Sequence, residues 1–461
     1  MGKLDDLVSE SLLIIFLFVA ISIITNYTQH QISYNDGKGW DGVQYYTLAE
    51  QMIHHESLKA QGPYVYRIGT PYLASLIPFG NISLRFTITN IIACVILTAL
   101  LVYWFRIYIP NWKIRVIMLL LFMTQWHAPI RFTYFYPILT DPWALVFTMA
   151  GLILIHKGTN NESKSYTYWV AALSFVGVFF REVLMLIPIT WWYAKNYTCI
   201  SQIIHSIICR LWTGETTEIT ANCKNITMLK ACFKESIPLL AGMIAVISIR
   251  TVAHQTNHYR FAETAVAWMY DKPLLTYLHA WFIAFGPMIV LPLLNCNLIT
   301  TFFRTHRFHL IFLVMISILG WIGGSDTERI IYYAMPIVYV QIANVLLDTM
   351  EVLKHSPILI TFIILIQCVS QRIFWYLPDY PPSPHGPIHS LPAIFGNTVQ
   401  FYHIPFLTIL SSCGNYLDLF SFHSGLTIKA LTLVQYIIVS VMLLVWMRIR
   451  DISLGHRGFV R

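Results

Sequence analysis

The chain has little charge. Asp, Glu, Lys and Arg make up 11% of its 461 residues, while 56% are hydrophobic and the mean hydropathy is +0.60. Soluble domains carry roughly 25% charged residues, so a water-soluble enzyme, a disordered chain and a typical nucleic-acid binder are excluded. Paired cysteines are missing as well. Cys94, Cys199, Cys209, Cys223, Cys232, Cys296, Cys368 and Cys413 form no CxxC, which removes the zinc and thioredoxin signatures, and their placement is not a disulfide framework. A cleavable signal peptide is not expected: Asp5, Asp6 and Glu10 precede the first apolar run, with Lys3 the one cation there, and no small-x-small site follows. That run reads as a retained first span. No internal repeat is visible, which weighs against inverted-repeat transporters.

What the chain does have is long apolar runs. Crossing the hydrocarbon core takes about 20 residues of helix. Candidates lie at 11–26, 86–106, 114–126, 138–156, 166–180, 183–194, 236–253, 274–295, 308–323, 330–347, 356–375 and 428–447, of which 114–126, 166–180 and 183–194 are short. The prediction is an all-α polytopic membrane protein. It forms a single transmembrane domain over 1–461, with about twelve (ten to thirteen) transmembrane helices.

Lys and Arg set the orientation. With the N-terminus in the cytoplasm, 18 of the 30 basic residues and 10 of the 22 acids fall on the inner side. The entire net charge of +8 then sits inside and the outer side is balanced. It is a topology signal and an attraction to anionic inner-leaflet lipid. Both termini are expected in the cytoplasm. The loop at 195–235 is expected to be cytoplasmic and amphipathic, because Ile200, Ile203, Ile204, Ile207, Ile208, Leu211 and Trp212 recur at helical spacing. The outer loop at 376–427 is rich in proline and aromatics and lacks basic residues from 373 to 428; its His385, His389, His403 and His423 match no metal-binding spacing.

Charges at membrane depth are expensive and default to functional hypotheses. Here they gather at outer span ends, while mid-span regions are nearly free of them. The first outer loop, 27–85, carries Gly39-Trp40-Asp41-Gly42-Val43-Gln44-Tyr45-Tyr46, an expected interfacial helix start. Asp41 reads either as a helix cap or as a site carboxylate. Arg67, among aromatics and prolines, is either a snorkelling side chain or a phosphate clamp. In Thr140-Asp141-Pro142, either Thr140 or Asp141 caps a helix that starts at Pro142, or Asp141 is a second acid of the same site. Arg181 and Glu182 are adjacent, so they point to different faces and need not pair with each other. Asp326 and Arg329 follow a flexible Gly323-Gly324 at the mouth of a span.

These residues resemble the GT-C superfamily, integral membrane glycosyltransferases that use polyprenyl-phosphate sugars. The resemblance rests on Trp40-Asp41-Gly42 with Tyr45 or Tyr46 and Leu48-Ala49 after the first span, on Thr140-Asp141-Pro142, and on Arg181-Glu182 before an apolar run. Tyr66-Arg67 with Pro71-Tyr72-Leu73-Ala74 resembles bacterial multi-span members and GPI-mannosyltransferase-like proteins. It covers mainly the first 195 residues, and no large soluble outer domain follows the spans. The resemblance implies an inverting enzyme of glycan biosynthesis with Asp41 as general base and Asp141 as a second acid. Tyr45, Arg67, Arg181, Glu182, Asp326 and Arg329 are implied to bind substrate. The implied donor is a polyprenyl-phosphate sugar, the acceptor is lipid-linked or a glycan or protein, and no cofactor or metal is expected. The active site would face outward, with the bacterial inner membrane favoured over the endoplasmic reticulum. The competing expectations are an O-antigen polymerase- or ligase-like transferase, disfavoured because the last outer loop lacks Lys and Arg, and a multi-span transporter or lipid flippase.

Overall fold

The computed structural model describes residues 2–28, 31–197, 201, 233–349, 357–371 and 426–453, apart from 33, 126, 162 and 164. The expected amphipathic helix within 195–235 and the histidine-bearing loop at 376–427 lie largely or wholly outside the described residues.

Among the described residues, the regular structure is helical apart from one two-stranded pairing. The elements are α1 (Gly2–Thr28), α2 (Asp41–Ile53), β1 (Lys59–Ala60), α3 (Gly69–Ser75), α4 (Ile82–Tyr108), α5 (Trp112–Thr124), α6 (Pro129–Phe135), α7 (Asp141–Asn160) and α8 (Ser165–Val178). A 3₁₀ turn (Glu182–Met185) leads into α9 (186–197), followed by α10 (Ile237–Val252), β2 (His254–Gln255), α11 (Phe261–Asp271) and α12 (Leu274–Phe285). A 3₁₀ stretch (Pro287–Asn295) then precedes α13 (Cys296–Thr305), α14 (Arg307–Ile322), α15 (Thr327–Ile331), α16 (Met335–Asp348), α17 (Pro357–Ser370) and α18 (Leu426–Ser453).

Each of the twelve apolar runs coincides with helical structure, but five stretches among the described residues are long and apolar enough to cross a membrane. They are Val8–Tyr27, Ile82–Tyr108, Pro287–Thr305, Thr327–Asp348 and Thr432–Ile449. The expected span at 274–295 is broken in the middle. Gly286 takes φ +69°, Pro287 follows it, and a Cβ on Gly286 would stand 2.6 Å from Gln367 Oε1. A positive φ that only glycine adopts easily, next to a residue without an amide hydrogen, ends the helix. Asn111 truncates α5 at its start by accepting from the amides of Lys113 and Ile114.

Thr327–Asp348 is the centre of the bundle, with 89% of its apolar window buried. Trp104 of α4 donates to the carbonyl of Pro336 across 3.0 Å. Val8–Tyr27, by contrast, turns Leu12, Ile15, Phe16 and Ile23 outward, as a helix facing lipid would. The site-bearing residues therefore hang from an inner helix and are walled by outer ones.

One end of the bundle is closed by ions. Glu10 of α1, 1% exposed, takes Arg115 on both oxygens at 2.7 and 2.8 Å and Arg106 at 3.2 Å. This ties α1 to α4 and α5 with a paired buried charge. Removing one member of such a set strands the others, at about 3–5 kcal/mol. Glu10→Ala is therefore expected to lower the unfolding midpoint of the solubilised protein by an amount of that order, measured by tryptophan fluorescence. An unchanged midpoint would mean the ion set contributes nothing to holding α1.

Candidate functional site

The other end of the bundle gathers all eight residues singled out in the sequence. Asp41 is the first residue of α2, and Asp141 the first of α7. Neither caps its helix. The cap positions are Trp40 and Thr140, and neither makes a side-chain capping bond. The two carboxylates are turned toward arginines instead.

Arg329 joins the carboxylates. Its Nη2 donates to Asp141 Oδ2 at 2.6 Å, its Nη1 donates to Asp326, and Nη1 lies 3.7 Å from Asp41 Oδ2. Arg181 donates to the other oxygen of Asp141, and Tyr333 Oη donates to the same oxygen at 3.3 Å. Asp141 is thus held by two guanidinium groups and a phenol. Among the described residues, the ion-pair contact of Asp41 is the long one to Arg329, and its side chain keeps 18% of its exposure.

Arg67 occupies the adjoining corner. It points inward and does not snorkel: its Nε donates to Glu182 at 2.9 and 3.2 Å and its Nη1 to Tyr45 Oη at 2.9 Å. Burial opposes its charge, but the Glu182 carboxylate and Tyr45 hold its pKa well above the ordinary arginine range. Arg181 and Glu182 therefore face different partners, as their adjacency requires. Tyr64 meets Tyr45 edge-on at 5.9 Å, and the Asp41 carboxylate, with burial second, pushes its phenol pKa up. The phenol therefore stays neutral.

The supporting contacts come from small and polar residues. Tyr136 Oη accepts from the Gly42 amide at 2.6 Å and its ring lies against Gly39, where a Cβ would come within 2.2 Å of the ring. Gly39 also takes φ +68°, so the approach to α2 demands glycine on two counts. Asn90 of α4 donates to the carbonyls of Pro137 and Leu139 at 2.8 and 3.1 Å, which fixes the strand of chain leading into Asp141.

Lys272 was not visible as a site residue in the sequence. It is 3% exposed, and its Nζ donates to the Gly320 and Gly324 carbonyls at 2.8 and 2.7 Å and to Thr327 Oγ1 at 2.7 Å. All three ammonium hydrogens are used to hold the glycine turn before Asp326 and Arg329. Tyr64, Tyr136 and Tyr333 were also missed as site members, because aromatic residues at a membrane boundary are ordinary.

Among the described residues no group of three or more His, Cys, Asp or Glu is arranged to hold a metal ion. Arg67, Arg181 and Glu182 face a cavity of about 310 Å³ between the 3₁₀ turn, α10 and α14. The arrangement offers a lightly held carboxylate, Asp41, in a network of paired guanidinium groups, and that network borders a recess through Arg67, Arg181 and Glu182. No family model matches the chain, and comparison with curated proteins and with solved structures likewise gives no match.

Lys272→Met would strip three buried acceptors of their donor, at about 1–3 kcal/mol each where no water replaces it. Faster hydrogen exchange is expected for the amides of 320–329, with Lys272→Arg intermediate. Exchange identical to the parent would show that Lys272 does not hold the turn.

Proposed function

We propose that the protein is a membrane glycosyltransferase that moves a sugar from a polyprenyl-phosphate donor to a lipid-linked, glycan or protein acceptor at the outer face of the membrane. The observation that carries this reading is the inequality between the two aspartates. Asp141 is saturated by Arg181, Arg329 and Tyr333, whereas Asp41 is half-released, 3.7 Å from Arg329. A base needs a free oxygen within reach of the proton it takes. Asp41 has one, so it is the base, and Asp141 is the residue that holds Arg181 and Arg329 in place.

In the transfer, Asp41 accepts the proton of an acceptor hydroxyl. The acceptor oxygen bonds to the anomeric carbon, the anomeric carbon–oxygen bond to phosphate breaks, and the phosphate leaves with the electron pair. Attack opposite the leaving group inverts the anomeric centre. Arg181 and Arg329, both paired with Asp141, hold the carboxylates in fixed positions around the reacting centre. The excess of Lys and Arg assigned to the other side of the membrane supports an outward-facing site.

Purified protein in vesicles, supplied with labelled polyprenyl-phosphate sugar, is expected to transfer the label to a co-reconstituted membrane acceptor fraction. Asp41→Asn keeps the shape and removes the base, and should cut the rate by roughly 10²–10⁴. Asp41→Asn protein that folds normally and retains full activity would reject the assignment.

A further inference from the structure

Three arginines line the cavity beside the site: Arg67, Arg181 and Arg250. Two of them are already engaged, Arg67 by Glu182 and Arg181 by Asp141. Arg329 is held by Asp41, Asp141 and Asp326. Within this cluster three guanidinium groups meet four carboxylates, so it has no spare positive charge for an incoming anion. Arg250 differs. It is exposed and has no carboxylate partner among the described residues; its contact is the face of Tyr66, 5.5 Å from the ring centre.

Its placement is built rather than incidental. Arg250 stands in the last turn of α10, directly before β2, and β2 pairs in parallel with β1 of the first loop, Lys59 with His254 and Ala60 with Gln255. The Gly62 amide donates to Asn257 Oδ1 at 2.6 Å, and Tyr66 Oη donates to Gln255 Oε1 at 3.1 Å. These bonds fasten the end of α10 to the segment that carries Arg67. The cavity that Arg250 lines has an apolar part formed by Val183, Leu186, Val246, Leu319 and Ile330, and the carboxylate facing it, Glu182, is paired with Arg67.

We infer that Arg250 is the anchor for the phosphate of the lipid substrate, and that the recess behind it takes the first part of the lipid chain. A free guanidinium suits a phosphate, and the apolar wall suits a hydrocarbon tail. The paired arginines then position carboxylates, and Arg250 meets the ligand. The inference deepens the transferase reading and rests on it in calling this lipid the donor.

Native mass spectrometry of the full chain in neutral detergent tests it, with farnesyl phosphate as the probe and inorganic phosphate and phosphatidylglycerol as comparison ligands. The expected result is one tightly held farnesyl phosphate, which neither comparison ligand displaces. Arg250→Gln should weaken it roughly tenfold or more, Arg250→Lys should keep part of the affinity, and Val246→Trp should block the recess with Arg250 intact. Equal farnesyl phosphate binding by Arg250→Gln would overturn the inference. So would phosphatidylglycerol binding with the same dependence on Arg250, since that describes an ordinary boundary lipid. Arg250-dependent binding by a protein that transfers no sugar would reject the transferase reading and leave the lipid phosphate site standing. Sugar transfer that Arg250→Gln leaves unaltered would do the reverse.

Discussion

The guanidinium of Arg329 holds the functional end of this molecule together. It collects carboxylates from positions 41, 141 and 326, three places that are distant in the chain. Without it, Asp41 and Asp326 would each lose this partner while Asp141 kept Arg181, and the carboxylates would repel one another. Lysine would not replace it, because a point charge lacks the planar fork that reaches several oxygens at once. Arg329 in turn depends on the start of the most buried helix stretch and on the turn fastened by Lys272.

Similar ionic chemistry serves different ends at the two poles of the bundle. Around Glu10 the charges are closed: the carboxylate is 1% exposed, both oxygens are taken, and nothing is offered to a ligand. Around Asp41 the set is open. Asp41 retains 18% of its exposure and Glu182 retains 41%, and Glu182 lines a cavity. The closed set fastens helices, and the open one carries the reach toward a substrate that the proposed chemistry requires.

The sequence was legible where cost makes a residue stand out. Charged side chains are rare in this chain, so Asp41, Arg67, Asp141, Arg181, Glu182, Asp326 and Arg329 were visible at span ends, and they are brought together. The helical runs were legible for the same reason, by hydropathy. Pairing was not, because it depends on which ends meet. Trp40 rather than Asp41, and Thr140 rather than Asp141, take the cap positions, since both carboxylates turn to arginines rather than to their own backbone. The break at Gly286 was hidden because apolar content continues across it, while the backbone turns through a positive φ. Arg250 was counted with a span, and only the pairing of β1 with β2 brings it to the first loop.

The central claim is that this ion cluster performs chemistry on a lipid-borne sugar at one face of the membrane. Sided vesicles of uniform orientation test it most directly, with labelled donor presented to one face at a time. The account predicts labelled acceptor and free lipid phosphate in equal amounts when the donor meets the Asp41 face, and neither when it is confined to the Glu10 face. Passage of intact donor from one face to the other with no glycosylated product would contradict it.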